Sequence, residues 1–485
     1  MKIKMLFVLI VFLFSIVCVS ASDVNDTLAG ADEIQVLEAN ENSEDILASA
    51  DNGTFTSLQK KINEAPSGST ITLDRDYSYD ENFRENGIII DKDLTINGNG
   101  HKLDGKSKSR IFLLLYGLRE NNKITLNNIN FVNGHTNHYG GAILNFANLK
   151  VNKCTFTNNR AYHCGGAINS VGYLDCRNSN FNKNVAGGDG GAVFSLSFEN
   201  SVLFYHSLFV NKTIDENLEF IITLSITPSI KFLKDRVSHC TFRNNVAKGR
   251  GGGGVYAFSA VNVASSTFIS NVAGEKGGAV FANMNLYVQN SKFTGNRAPM
   301  YGGAIYFKCH GSTGHYDEKG KWVSGVKFFG NSIQKSVFTK NVASKGGAIY
   351  GFRASDSDRI HCAKAVRCTF AANKASVAGR DIYGGTASKC VFNYLKLTLK
   401  TVTVKKSAKK VVLSARLFKG KTLFKGKVIT FKFNGKILRA KTNSYGIAKA
   451  TVTKGLLNKL TVGKNVQYMA GYGKLSVKKT VKVRA

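Results

Sequence analysis

The chain has 485 residues with 48 Gly and only 3 Pro, a composition that excludes collagen and proline-rich linkers and predicts many tight turns within regular structure. Hydrophobic residues make up 43% and charged residues 20%, which excludes a chain disordered throughout. The formal net charge of +34 indicates an anionic partner, and the position of the charge along the chain must distinguish nucleic acid from an anionic surface.

The first 21 residues have the pattern of an export signal. Lys2 and Lys4 precede an apolar run over 5–17, and small residues follow at Ser20 and Ala21. Because a run of this length is too short to span a bilayer comfortably, we predict a signal peptide over 1–21, with an uncleaved membrane anchor as the alternative. No later run reaches 18 apolar residues, so no transmembrane span is expected in the mature chain.

The next segment, residues 22–52, is acidic and contains no Lys, Arg or aromatic residue. Such a segment repels itself and has little to bury. We therefore predict a disordered spacer or pro-segment.

A short amphipathic helix is predicted at the start of the following domain, residues 53–393. Thr56 and Gln59 are expected to form its capping box, Leu58 and Ile62 share one face, and Pro66 stops it. A helix at this point would cover the open end of a repetitive domain, whose first repeat otherwise exposes an apolar edge.

An internal repeat dominates this domain. The triplet Gly-Gly-Ala recurs, often at a spacing of 25 residues, beginning at Gly140, Gly165, Gly190, Gly277, Gly302 and Gly346. Short β-rich runs separated by Gly at this period predict the coils of a parallel β-helix. A helical repeat is excluded because each Gly would cost about 1 kcal/mol, and the frame of a leucine-rich repeat is missing.

A second element, Phe-x-x-Asn, runs in phase with the glycines. Its copies are Phe156/Asn159, Phe181/Asn184, Phe242/Asn245, Phe268/Asn271, Phe293/Asn296, Phe338/Asn341 and Phe370/Asn373. A Ser or Cys stands two residues before each Phe, so alternation along a strand puts both side chains on one face, which we place inward. The Asn side chains are expected to form a ladder at a bend. All these positions are assigned a structural role.

The stretch from Leu94 to Gly105, followed by Gly-Gly-Ala-Ile and Phe-x-x-Asn, resembles the adhesin-like proteins of methanogenic archaea. Those proteins are similar to pectate-lyase-type right-handed β-helices and to the repeats of polymorphic outer-membrane proteins. The resemblance covers roughly residues 52–393. It implies a right-handed parallel β-helix and, much less specifically, a surface function.

The C-terminal segment, residues 395–485, is predicted to be a small β-sandwich. Alternating β-branched runs predict about seven strands, and Asn434-Gly435 is a hairpin signal. The patterns at 426–436 and 441–448 resemble bacterial-type Ig-like domains, which commonly serve as stalks and in some cases bind glycans or walls. The expected fold class is therefore all-β: a right-handed parallel β-helix followed by an Ig-like sandwich.

The positive charge is concentrated in this segment. Residues 396–485 hold 24 of the 66 Lys and Arg residues, and no acidic residue follows Asp381. One interpretation is a set of solvated outward positions. We favour electrostatic docking to an anionic cell envelope, because the self-repulsion is otherwise uncompensated. Nucleic acid is not expected, because Arg, the usual reader of bases, is scarce here.

Eight cysteines remain once Cys18 is removed with the signal peptide. Three occupy the small inward slot and are predicted to be buried thiols: Cys154, Cys240 and Cys368. Cys309 and Cys362 are the more plausible disulfide pair. The histidines near them, His310, His315 and His361, match no metal-ligand frame. No metal and no other cofactor is expected.

A polysaccharide lyase or a glycoside hydrolase is an alternative, because both occur on pectate-lyase-like folds. Either enzyme needs clustered carboxylates. The acidic residues of the repeats do not recur at one repeat position and are interpreted as scattered surface charge: Asp175, Asp189, Glu199, Glu275, Asp317, Glu318, Asp356, Asp358 and Asp381. We therefore assign no catalytic residue.

One insertion breaks the repeat, where the spacing from Phe293 to Phe338 rises to 45 residues. It contains the single Trp of the chain, and the candidate ligand-binding residues are Trp322, Tyr316, His315 and Asp317. Aromatic side chains with polar neighbours suit sugar or protein contact. The alternative is a self-packed loop anchored by Trp322.

The sequence thus predicts a secreted, cell-surface, adhesin-like protein that binds or displays at the envelope without catalysis. Its expected partner is an anionic cell-envelope polymer or an extracellular glycan or protein. The alternatives are the polysaccharide-degrading enzyme and a purely structural envelope component.

Overall fold

The computed structural model describes residues 52–83, 86–115, 123–197, 234–283, 285–309, 314–316, 322–324, 331–353, 363–420, 422–473 and 475–485. The predicted signal peptide and residues 22–51 of the predicted spacer lie outside them. The chain divides into two compact units, the first ending in Asn373–Lys389 and the second made of Thr369–Ala372 and Cys390–Ala485. Within the described ranges, no helix is both long enough and apolar enough to span a bilayer.

The first unit begins with helix α1, Phe55–Glu64, which buries Phe55, Leu58 and Ile62. Its capping box is formed by Thr54 and Ser57: the Thr54 hydroxyl accepts from the Ser57 N–H, and the Ser57 hydroxyl accepts from the Thr54 N–H, both at 3.1 Å. Two reciprocal hydrogen bonds therefore cap the N-terminus of α1.

The predicted capping box of Thr56 and Gln59 is wrong. Thr54 has the extended backbone of an N-cap, so Thr56 already lies inside the helix. The Thr56 hydroxyl instead donates to Asp80, at 2.8 Å, and the Gln59 amide bonds both the N–H and the carbonyl of Ile89. Both side chains thus tie α1 to the first coils.

Three parallel sheets follow, and the chain visits sheet 1, sheet 2 and sheet 3 in turn in each coil. The strands of sheet 1 are Thr70–Thr72, Leu94–Asn97, Lys123–Asn127, Asn148–Asn152, Leu174–Arg177, Lys234–Ser238, Ala260–Ala264, Leu286–Gln289, Asn331–Gln334, Ala363–Val366 and Gly385–Ser388. Those of sheet 2 in this unit are Tyr77–Ser78, Lys102–Asp104, Asn130–Val132, Thr155–Thr157, Asn180–Asn182, Thr241–Arg243, Thr267–Ile269, Lys292–Thr294 and Val337–Thr339.

Sheet 3 closes each coil and is preceded by short corner strands. Its strands are Ile88–Ile90, Phe112–Leu114, Ile143–Asn145, Ile168–Ser170, Val193–Ser195, Val255–Ala257, Val280–Ala282, Ile305–Cys309, Ile349–Arg353 and Ile382–Tyr383. The corner strands are His135–Thr136, Arg160–Ala161, Val185–Ala186, Val246–Ala247, Val272–Ala273, Val342–Lys345 and Lys374–Ala378. This all-β unit is a parallel β-helix, consistent with the right-handed form that the sequence predicts.

The interior of sheet 2 is a column of phenylalanines. In the register of the strands, Phe156 pairs with Phe131 and Phe181, and Phe268 with Phe293. Ring centroids of successive members from Phe131 to Phe338 lie 4.6–4.9 Å apart with planes within 7°. This spacing is that of neighbouring strands, so each ring covers the faces of the next.

The asparagines form a continuous ladder beside that column. Each Nδ2 donates to the Oδ1 of the Asn one coil later, as from Asn159 to Asn184 and from Asn271 to Asn296, both at 3.0 Å. Each Oδ1 also accepts the backbone N–H of the Asn one coil earlier. The last rung, Asn373, donates to Asp381 at 2.9 Å, so a carboxylate ends the ladder where no further Asn follows.

The paired glycines serve two different needs. The first of each pair has a left-handed φ, as at Gly277 with +62°. The second allows close approach of backbones: a Cβ on Gly278 would lie 2.3 Å from the carbonyl oxygen of Gly303. A side chain at either position is therefore incompatible with the corner.

The second unit contains two sheets around one apolar core. The first sheet has Leu395–Leu399, Lys410–Lys419, Thr422–Leu423 and Ile447–Thr453, and the second has Val402–Lys405, Val428–Phe433, Lys436–Lys441, Asn465–Tyr472 and Leu475–Arg484. The one-turn helix α2 spans Lys454–Leu457, and Thr369–Ala371 pairs in parallel with Val391–Asn393. Leu413, Phe431 and Tyr468 lie fully buried in the core. The predicted hairpin at Asn434-Gly435 is confirmed.

Candidate functional site

The predicted loop site has a hairpin backbone. Gly314–Tyr316 pairs antiparallel with Trp322–Ser324, and the register puts Tyr316 opposite Trp322 and His315 opposite Val323. Asp317 lies outside the described residues. The structure thus brings three of the four candidate positions into one short ribbon.

The cysteine and histidine cluster is only partly within the described residues, since His310, His361 and Cys362 lie outside them. Glu199, Glu318, Asp356 and Asp358 also lie outside. In the ranges that the structure describes, no three His, Cys, Asp or Glu side chains are grouped closely enough to hold a metal ion.

A single residue turns the chain between sheet 1 and sheet 2 in most coils, and it has a left-handed φ of 46–56°. These corner residues are Asn128, Lys153, Asn178, His239, Ser265, Asn290, Lys335, Arg367 and Lys389. Asn adopts this conformation readily, whereas Lys and Arg do so at a cost. The last three corners are nevertheless all basic.

The backbones of these three corners stack directly on one another, so the three cations project from successive coils. The backbone N–H of Lys335 donates to the carbonyl of Val366, and the backbone N–H of Arg367 to that of Ser388, both at 3.0 Å. Lys335, Arg367 and Lys389 are exposed and line a depression of about 450 Å³. Its other lining residues are Ser332, Gln334, Lys364, Val366 and Ser388. We call this depression the basic corner groove; none of its described lining residues is a carboxylate.

The stacking has an electrostatic cost. Successive coils are about 4.8 Å apart, and two unit charges at that distance in water would repel by at most about 0.9 kcal/mol, less where the exposed side chains diverge. Lys364 is the fourth cation of the groove, and none of the four forms an ion pair with a described residue. An anion bound in the groove would remove this repulsion.

A second basic surface lies on the five-stranded sheet of the second unit. Strand register pairs Lys405 with Arg484 and Thr403 with Lys482, and Met469 lies between Lys432 and Lys478. Alternation puts these side chains on the face away from the buried Phe431 and Tyr468. This face, which we call the basic sheet face, carries Lys405, Lys432, Arg439, Lys441, Lys478, Lys482 and Arg484, all exposed.

Aromatic side chains away from the interior form a second column on sheet 3. Phe194, Tyr256 and Phe281 stack at 5.1 and 4.5 Å between centroids, and Tyr350 and Tyr383 at 5.0 Å. Within the column each ring is covered by its neighbours, and all of these rings but the terminal Tyr383 are buried. The buried rings therefore leave no free face on which a sugar ring could stack.

The expectation of scattered surface charge is wrong for Asp175, Asp189 and Asp381, which are buried. Asp175 is held by a bidentate contact from Arg177, at 2.8 and 2.6 Å. Asp189 accepts the Gly251 N–H at 2.7 Å, and burial raises the pKa of its carboxyl to about 7. These carboxylates have local structural partners that the repeat pattern does not indicate.

The buried carboxyl of Asp235 was missed by sequence reasoning. The strand register places it in an apolar column between Leu174 and Val261. It accepts from Ser197, Ser259 and Ser195 and from the Leu174 N–H, at 2.9 Å, and burial raises its pKa to about 6. An acidic residue at a position that is apolar in the neighbouring coils would have indicated this site. The insertion before Asp235 obscures its alignment with those coils.

Asp235 replaces a backbone acceptor. In regular coils the equivalent N–H bonds a backbone carbonyl of the next coil, as from Leu149 to Tyr173 and from Val261 to Asn285. Where the connection to the next coil is long, a side chain supplies the oxygen: Asp235 for Leu174, and Asn331 for Leu286, at 2.7 Å. The role of Asp235 is thus to complete the ladder.

Two families match parts of this chain. Residues 53–163 match the pectate lyase-like adhesive domain, and residues 290–308 and 325–351 match the Chlamydia polymorphic membrane protein repeat. The β-helix is therefore adhesin-like, and these matches indicate a cell-surface location.

The A-module of the mannuronan C-5 epimerase AlgE6 from Azotobacter vinelandii is a similar solved structure. It has 14% identity and a TM-score of 0.34, over 68% of this chain and 80% of that module. The sequence matches no curated protein.

Proposed function

We propose that this protein is a secreted, non-catalytic adhesin that docks to an anionic polymer of a cell envelope through its second unit. In this proposal, residues 1–21 direct export, 22–52 form a spacer, 53–393 form the β-helix and 395–485 form an Ig-like module. The β-helix presents a rigid extended face to an extracellular glycan or protein.

The basic sheet face carries this proposal. It collects seven exposed cations on one side of a sheet, in a segment of the chain without a single acidic residue. Cations paired across strands, such as Lys405 with Arg484, repel each other and destabilise the sheet unless a polyanion neutralises them. Such binding should weaken as salt is added.

A charge-matched comparison tests the proposal. Four Lys on the basic sheet face are changed to Gln in the full chain (Lys405, Lys432, Lys478 and Lys482), and binding to polygalacturonate is measured by calorimetry at low and high salt. At about 0.5 kcal/mol per contact, we expect roughly 30-fold weaker binding at low salt.

The control removes the same net charge from other exposed positions: Lys396, Lys410, Lys449 and Lys459. We expect this control variant to bind polygalacturonate nearly as well as the unchanged chain. Neither of these proteins should bind neutral dextran. Equal loss in both variants would show attraction by net charge alone and would overturn a defined docking face. The length of the polygalacturonate should stay constant throughout, because the proposal assigns no catalysis.

The hairpin of Tyr316 and Trp322 is proposed as a separate contact for a glycan or protein, together with His315 and Asp317. The support is the facing position of two aromatic residues in a segment that breaks the repeat. Trp322→Ala should weaken capture of that ligand on a glycan array while leaving salt-sensitive polygalacturonate binding unchanged.

A further inference from the structure

Two buried columns meet inside the β-helix at the corner between sheet 1 and sheet 2. The column of sheet 1 contains Leu126, Val151, Cys176, Val237, Val263, Val288, Ile333 and Ala365. The column just after the corner contains Cys154, Ser179, Cys240, Ser266, Ser291, Ser336 and Cys368. Apart from Cys176, the residues of the first column are apolar, whereas each residue named in the second is Ser or Cys.

Each cysteine of the second column faces sheet 1 of the preceding coil. The Sγ atoms of Cys154 and Cys368 lie 3.4 Å from the carbonyl oxygens of Leu126 and Ile333. The equivalent neighbour of Cys240 is Cys176, whose carbonyl oxygen is 3.5 Å away. Among these neighbours, only Cys176 carries a thiol.

The two thiols are in direct contact. Their Sγ atoms lie 3.8 Å apart, and both residues are buried, at 0% and 1% exposure. A disulfide needs the sulfurs at roughly 2.05 Å, so the required closure is under ~2 Å.

We propose that Cys176 and Cys240 form a disulfide in the mature protein, which joins the two coils on either side of residues 198–233. This is the junction at which the regular backbone bond is replaced by Asp235. A covalent bond between these coils would hold their register across 64 residues of chain. The inference does not depend on the docking face, but it rests on the proposed export, because disulfides persist in an oxidising compartment.

The oxidant is an external disulfide, either a small molecule or a disulfide oxidoreductase. The thiolate of one cysteine attacks a sulfur of that disulfide and releases one thiol, leaving a mixed disulfide. The second thiolate then attacks the protein sulfur of the mixed disulfide, forms the Sγ–Sγ bond and releases the second thiol. The two protons lost by the cysteines end on the two released thiols, and two electrons pass to the oxidant.

The folded interior decides when this exchange occurs. The hydrogen bond with Cys240 and burial raise the pKa of the Cys176 thiol, so little thiolate exists once the coils have closed. The bond should therefore form while the chain folds, and afterwards it should resist reduction by external thiols.

The test uses the full chain refolded in a glutathione and glutathione disulfide buffer. Free thiols are alkylated under denaturing conditions, and the digest is analysed without reduction by mass spectrometry. We expect a peptide that links Cys176 to Cys240. Complete alkylation of both residues, or their linkage to other cysteines, would overturn the proposal.

The chain supplies matched controls. Cys240→Ser introduces the residue of four other coils at this slot, and Cys176→Val introduces the residue of the neighbouring coils. Either change should remove the linked peptide, whereas Cys154→Ser and Cys368→Ser should leave it. Reductant present during refolding should lower the Tm of the unchanged chain by several degrees and leave that of Cys240→Ser unchanged; an equal shift in both would contradict the cross-link.

Discussion

Changing the three stacked cations of the basic corner groove to Asn should stabilise the protein. The variant K335N/R367N/K389N installs the residue that already occupies the corner at Asn128 and Asn178. Two neighbouring repulsions of at most about 0.9 kcal/mol each disappear, and Asn relieves part of the roughly 1 kcal/mol that each left-handed Lys or Arg costs. We expect a gain of about 2 kcal/mol in the free energy of unfolding.

Urea unfolding at low and high salt measures this gain and separates its two parts. The repulsive part should vanish at about 1 M salt, where charges are screened beyond roughly 3 Å, and the backbone part should remain. Lys153→Asn is the matched control, because Lys153 occupies the same corner between Asn128 and Asn178 and has no stacked cation. Its gain should be small and independent of salt.

A loss of stability in the triple variant at low salt would refute this reasoning, as would a salt-independent gain. The second readout is binding. If the cations are present for an anionic ligand, the stabilised variant should bind polygalacturonate more weakly than the Lys153→Asn control. Stability and binding would then move in opposite directions, which a purely structural role of the corner does not predict.

Three further changes test the interior. Because the pKa of Asp235 is raised to about 6, its contribution to the free energy of unfolding is complete below pH 4 and is lost as pH rises through 6. Asp235→Asn introduces the side chain that Asn331 uses at the equivalent position, and it should remove about 3 kcal/mol of this pH dependence in denaturant titrations at pH 4 and 7. Asn245→Ala leaves the Asn184 N–H without its acceptor and should cost roughly 3 kcal/mol, while the exposed Asn180→Ala should be nearly neutral in the same titration. Gly278→Ala should prevent folding as judged by circular dichroism, whereas Gly455→Ala, with open space around its Cβ, should not.

The repeat could be recognised in the sequence because stacking makes like residues recur. In a parallel β-helix, the Phe of each coil must fit against the Phe of the next, and each Asn amide bonds another Asn amide. A side chain that differs from its neighbours leaves a gap or an unpaired polar group. The physical demand for identity in every coil thus appears directly as a period of 25 residues.

Features that depend on the irregular coils could not be predicted in this way. Asp235 lies 61 residues after Leu174, and Cys240 lies 64 residues after Cys176, so the period gives no indication that they meet. The capping box lies two residues earlier than predicted, because Thr56 and Gln59 match the Thr-x-x-Gln motif whereas the observed box closes on Ser57. Only the contacts with Asp80 and Ile89 decide what they bond.

Composition and periodicity alone determined that the chain builds stacked coils with a basic C-terminal segment. The tertiary structure decided which cations stand on one surface, since Lys335, Arg367 and Lys389 are far apart in sequence and adjacent in space. Periodicity reports what every coil shares, whereas a site consists of residues that differ from coil to coil. The folded backbone is what brings those exceptions together.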